Sequence, residues 1–188
     1  MAILNIVTYP DPLLRAETEP VTEVDDSVRQ LINDMLDTMY SLPGVGLAAP
    51  QVGSNKQIIV YDIQRKDLEE GVKEEDKEGL RNPSILMNPE VVLLEGSYNS
   101  EKEGCLSFPY LRINVKRAKK IYAKGLDING ELIQLQADNL AAVVLQHEID
   151  HLNGVLLIDK VGTIKREMYR RSQPRKRNKN KKKKKKKK

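Results

Sequence analysis

The feature that most limits the possible folds is the order of the hydrophobic patterns. Every strand-like run lies between two helix-like ones, and no helical pattern separates one strand from the next. The first helical pattern is Val28, Leu31, Ile32, Met35, Leu36 and Met39. Its i, i+3, i+4 spacing gives a helix over about 26–41 one apolar stripe, and Pro43-Gly44 ends it. Strand-like runs follow at 57–63, 85–94, 113–115, 120–128 and 132–135, the last two joined by a tight turn at Asn129-Gly130. A second helix is predicted over about 138–152, with Asp138 as N-cap and Asn153-Gly154 as its stop. Parallel strands need a crossover between them, usually helical, and no such helix is available. The expectation is therefore α+β, with antiparallel or mixed strands packed around a central second helix and the amphipathic helix at the N-terminal side.

A chain of 188 residues is one ordinary domain, and no internal repeat is visible. Trp is absent and Phe occurs once, so the core must be built from Val, Ile and Leu. No apolar run reaches the roughly 20 residues of a membrane span, and Met1-Ala2-Ile3-Leu4-Asn5 opens without a basic or apolar leader. The single cysteine, Cys105, cannot form an internal disulfide, and a reducing cytoplasm is expected. The net charge of +5 hides an asymmetry: 13 of the 32 Lys and Arg lie in the 18 residues from Arg171 onward. Residues 1–170 keep 19 basic residues against 27 acidic ones, a net charge of −8. The division expected is a folded domain at 1–170 and a disordered polybasic tail at 171–188. The acidic body argues against sequence-specific nucleic-acid binding by the domain. A charged stretch at 64–82 reads as a solvated loop.

Chemistry concentrates in the second helix, which reads Gln146-His147-Glu148-Ile149-Asp150-His151. This HExxH spacing sets His147 and His151 one turn apart on one face, where two imidazoles can share a metal, with Glu148 beside them as a base. These are the only two histidines in the chain. A catalytic site needs a third protein ligand, and two residues compete for the place. Glu167 could complete a His-His-Glu set of the zincin endopeptidase kind. Cys105, in Glu103-Gly104-Cys105-Leu106-Ser107, offers a thiolate between small neighbours. A third constellation, Gly44-Val45-Gly46-Leu47-Ala48-Ala49-Pro50-Gln51, is a small-residue turn that lacks the Lys-Ser/Thr of a phosphate loop. A non-enzymatic RNA-binding module would rest on the lysine tail alone.

Taken together, the G-x-G-x-A-A-x-Q turn at 44–51, the E-G-C-L-S segment at 103–107 and the H-E-x-x-H helix at 147–151 resemble the peptide deformylase family. So does Tyr9-Pro10-Asp11-Pro12-Leu13-Leu14-Arg15, and the resemblance covers about 3–165. Phe108, the charged stretch at 64–82 and the lysine tail depart from the family pattern. The resemblance implies a hydrolase that removes the formyl group of N-formylmethionyl nascent peptides. Cys105, His147 and His151 would bind one divalent metal, Fe(II) before Zn(II), Ni(II) or Co(II), and Glu148 would carry the proton. Gln51 and the Leu106 backbone N–H would hold the oxyanion. Leu140, Val143 and Val144, one to two turns before His147, would line a methionine slot with Val45. The peptide would lie extended between Val45-Gly46 and Glu103-Gly104, with Arg112 on a substrate carbonyl. The partners expected are nascent chains and, through the tail, the ribosome, with no membrane and a monomeric enzyme.

Overall fold

A run such as Ile58-Ile59-Val60 can be buried throughout only if both faces of its strand are covered, and they are. The computed structural model describes residues 2–64 and 81–172. Its elements are α1 (Asp26–Ser41), β1 (Gly46–Ala48), β2 (Ile58–Tyr61), β3 (Ser84–Glu95), β4 (Tyr98–Cys105), β5 (Phe108–Arg117), β6 (Lys120–Leu126), β7 (Leu132–Asp138), α2 (Asn139–Leu152) and α3 (Thr163–Ser172). Short 3₁₀ turns lie at Pro12–Arg15, Ala49–Val52 and Leu157–Lys160. Five strands form an antiparallel sheet in the order β1-β2-β3-β6-β7, and β4 and β5 form a separate antiparallel hairpin. The fold is α+β.

Alternation along the strands assigns each helix to its side. Leu47, Ile58, Val60 and Met87 pack with Val28, Ile32, Met35 and Met39 of α1. Their neighbours Ala48, Ile59 and Leu86 point the other way, to Ala142, Leu145, Ile149 and Leu152 of α2. The hairpin has its own core, where Phe108, Leu111, Ile113 and Val115 meet Leu14, Leu156, Leu157 and Ile158. The N-cap of α1 is Asp25, whose side chain accepts from the Val28 N–H.

Several expectations need correction. β4 had no sequence signal, because its buried positions are Ser100 and Glu103 rather than aliphatic residues. β5 is ten residues long instead of 113–115, since Arg112, Asn114 and Lys116 are its exposed phase. The segment read as a plain turn at 46–48 is a strand. The β6–β7 hairpin does turn at Asn129-Gly130, where the Gly130 N–H donates to the Asp127 carbonyl at 2.9 Å, and the stretch between the paired strands is Asp127–Glu131. There the Asp127 carboxylate accepts from the Asn129 and Glu131 N–H groups, and Gly130 takes a positive φ. Asp138 precedes α2 but makes no capping bond; its carboxylate instead accepts from Gln136 Nε2. α3 was not anticipated, and it extends through Arg171 and Ser172, where the tail was expected to begin. Most of the charged loop and of the polybasic tail, residues 65–80 and 173–188, lies outside the described residues. Among those described, no helix is long and apolar enough to cross a membrane.

Candidate active site

The hairpin delivers the thiol and α2 delivers the imidazoles. Cys105 closes β4 and pairs with Phe108 across a turn formed by Leu106 and Ser107. On α2, His147 and His151 face the same way, their ring centroids 5.1 Å apart. The ligand atoms of Cys105, His147 and His151 all lie within 4.8 Å of one another, with Cys105 Sγ 3.2 Å from His151 Nε2. A thiol and two buried imidazoles are a fitting donor set for a borderline divalent metal. Glu167 does not join them: it lies on α3, where its carboxylate binds the guanidinium groups of Arg170 and Arg171.

An ion-pair network fixes the first imidazole. The Glu103 carboxylate accepts from His147 Nδ1 at 2.7 Å, which leaves Nε2 with the lone pair a metal needs. Arg117 holds the same carboxylate through two nitrogens, at 2.6 and 3.2 Å, and reaches Asp150 at 2.6 Å. Lys160 shares the same Asp150 oxygen at 3.1 Å. Burial pushes the Glu103 carboxyl up, but the hydrogen bonds from His147 and Arg117 outweigh it and hold it down at about 2. At His147 burial pushes the pKa down, and hydrogen bonds to Cys105 and Glu103 more than reverse it. Among the described residues no carboxylate bonds His151: burial, then the charges of His147 and Arg117, hold it well below the usual range, and a neutral imidazole is fit to bind metal.

Glu148 sits beside this network but outside it. Burial pushes its carboxyl up to about 7 against the opposing pull of His147, and its Oε2 is buried with no hydrogen-bond partner. Gly46 makes the room: a Cβ there would stand 2.6 Å from Glu148 Oε1. On the 3₁₀ turn after β1, Gln51 is turned inward and almost wholly buried. Its Oε1 accepts from the Ala48 N–H at 2.8 Å, while Nε2 lies 3.4 Å from Cys105 Sγ and 3.3 Å from Ser107 Oγ.

A cavity of about 350 Å³ opens onto these groups. The residues lining it include Val45, Gly46, Gln51, Glu103, Gly104, Cys105, Leu106, Arg112, Leu140, Val143, Val144, His147 and Glu148. Like the rejected Glu167, His151 is not among the lining residues; it lies against Cys105. Val143 and Val144 are buried and Leu140 half-buried, an apolar part of a lining that also includes the polar Ser100, Glu101 and Lys102. Arg112 donates to the Leu111 carbonyl at 3.0 Å and lies against Gly104, where a Cβ would come within 2.5 Å of its guanidinium. The Glu103 side chain turns away to His147 and Arg117, so this residue can meet a ligand through its backbone. Sequence reasoning missed Arg117, Asp150 and Ser107. Arg117 was findable, because it continues the apolar phase Leu111, Ile113, Val115, and an arginine in that phase is a buried cation with partners. Asp150 and Ser107 gave no comparable signal.

The polypeptide deformylase family model matches residues 3–167. A peptide deformylase of Desulfosudis oleivorans is 44% identical over 171 residues, covering 91% of this chain and 92% of that protein. One of Nitrosococcus oceani is 47% identical, covering 91% and 94%. The crystal structure of a peptide deformylase from Legionella pneumophila superposes with a TM-score of 0.79 at 42% identity, covering 90% of this chain and 92% of that one. Matching the family from residue 3 to residue 167 in sequence, and a crystallised relative in fold over nine-tenths of its length, the chain belongs to the polypeptide deformylase family.

Proposed function

We propose that Cys105, His147 and His151 hold one divalent metal and that Glu148 moves the proton in the reaction of this family. That reaction is the metal-dependent hydrolysis of the formyl group from the N-formylmethionine of new polypeptides, with release of formate. The observation that carries the residue assignment is the three-donor cluster beside a buried carboxyl oxygen with no partner. A divalent metal held there supplies Lewis-acid polarisation and brings the pKa of water near 7. Glu148 accepts the proton of the attacking water and returns it to the departing amine, so both chemical steps use one carboxyl. The Gln51 amide and the Leu106 backbone N–H donate to the oxyanion. Leu140, Val143, Val144 and Val45 hold the methionine side chain in an apolar slot, and α2, which carries both slot and ligands, is the central helix of the fold. The peptide backbone runs between Val45-Gly46 and Glu103-Gly104, with Arg112 donating to a substrate carbonyl.

The metal test uses protein purified without oxygen. Fe(II), ahead of Zn(II), Ni(II) and Co(II), is the ion expected on the family resemblance, at one per chain. Cys105→Ala should remain folded by circular dichroism and lose the metal, because two imidazoles alone do not complete the site. Full metal content in that variant would overturn the ligand assignment. For Gln51, replacement by Leu should lower kcat by about 10²- to 10³-fold with little change in KM, the pattern of a donor that acts on the transition state. An unchanged kcat would remove it from the oxyanion site.

The setting proposed is a cytoplasmic monomer whose polybasic tail leans on ribosomal RNA. An acidic body with a cationic arm is suited to that, since each phosphate contact releases counterions and steepens the salt dependence. Truncation after Ser172 should leave kinetics on short formyl-Met peptides intact and weaken ribosome binding at low salt. Equal binding by both forms would end the tether reading.

A further inference from the structure

We propose that Ser107 is a positioning residue for Gln51, fixing the plane of its amide so that one N–H is presented to the developing oxyanion. The inference rests on the reading of Gln51 as an oxyanion donor and adds a residue to it. An amide side chain has one acceptor oxygen and two N–H donors, and its terminal torsion is soft. In Gln51 the oxygen is committed to the Ala48 N–H at 2.8 Å, so the amide cannot flip without setting donor against donor. That points Nε2 at the β4–β5 turn, where the Ser107 hydroxyl accepts at 3.3 Å and the Cys105 sulfur lies at 3.4 Å. Sulfur is the weaker acceptor, so the hydroxyl sets the angle. Ser107 is fully buried, at 0% exposure, and water cannot take the place of its oxygen.

The backbones of the two residues are fixed by a common brace. On the N-terminal segment, the Val7 N–H donates to the Gln51 carbonyl at 2.7 Å and the Tyr9 N–H donates to the Ser107 carbonyl at 2.9 Å. Residues two apart on the N-terminal segment thus tie the backbones of Gln51 and Ser107 to each other. With one N–H on Ser107, the other faces the Cys105 sulfur at 3.4 Å, on the wall of the cavity, and it is this N–H that a developing oxyanion beside Cys105 would take over.

Ser107→Ala, Gln51→Leu and the double variant are compared on a formyl-Met peptide, with metal content measured for each. Ser107→Ala should lower kcat by about 3- to 10-fold, one hydrogen bond's worth, with KM and metal content unchanged. In the Gln51→Leu background the same change should alter kcat by less than about twofold, because the residue acts only through Gln51. An equal loss in both backgrounds would make Ser107 independent of Gln51 and overturn the proposal. So would an unchanged kcat for Ser107→Ala beside an impaired Gln51→Leu. If Gln51→Leu itself keeps full kcat, the oxyanion reading of Gln51 fails first and the role of Ser107 falls with it.

Discussion

Glu148→Ala is expected to fold, to keep its metal and to lose about 10²- to 10⁴-fold in kcat on a formyl-Met peptide, the range a positioned acid-base group contributes. The separation of effects follows from geometry. Glu148 is outside the donor set of Cys105, His147 and His151, so its removal leaves the ligands in place. Its carboxyl is pushed up to about 7 by burial, which suits a group that must both accept and return a proton near neutrality. Burial of a carboxyl oxygen without a partner also costs stability, so the alanine variant should melt no lower than the parent. Glu148→Gln tests the proton against the packing: it keeps size and polarity, cannot shuttle a proton, and should be as inactive as alanine. Metal loss in both variants, or most of kcat retained in either, would take Glu148 out of the reaction.

The parts of this protein that could be read from sequence are those where one short segment carries the whole signal. The α1 stripe, the uninterrupted Ile58-Ile59-Val60 of β2 and the His147–His151 spacing each follow from the period of a single element. What could not be read depends on partners distant in sequence. β4 is held by its pairing with β5 and by Glu103, a buried carboxylate whose hydrogen-bond donors arrive from residues 117 and 147. A strand whose inward side chains are Ser100 and Glu103 has no hydrophobic alternation to detect. Gln51 was legible as part of a motif, but the direction of its amide is decided by Ala48 and by a turn more than fifty residues away. α3 buries none of its residues: its Ile164 and Met168 are exposed and only Tyr169 leans on the hairpin core, too little to mark a helix.

Arg117→Met is expected to give the largest loss of stability among single changes near the site, about 3–5 kcal/mol, the range for breaking a buried pair from one side. At roughly 2–4 °C per kcal/mol for a chain of this size, the melting temperature should fall by about 6–20 °C. The guanidinium lies between Glu103 and Asp150 with its side chain 5% exposed, and the two carboxylates respond differently to its loss. Asp150 is partly exposed and keeps Lys160 at 3.1 Å. Glu103, 6% exposed, keeps only His147 among the described residues, so the uncompensated charge falls on the group that orients the first imidazole. Metal affinity, measured by competition with a chelator, should therefore drop by about 10- to 100-fold, as when an outer-shell partner is lost. Adding Glu103→Gln removes the stranded charge yet keeps an oxygen that can accept from His147 Nδ1. The double variant should thus recover more than half of the lost melting temperature. A single Arg117→Met with the parent's melting temperature and chelator resistance would show that the network neither stabilises the fold nor holds His147. Recovery of stability without any recovery of metal affinity would assign the orientation of His147 to the ionised carboxylate itself, since the neutral amide offers the same oxygen without the charge.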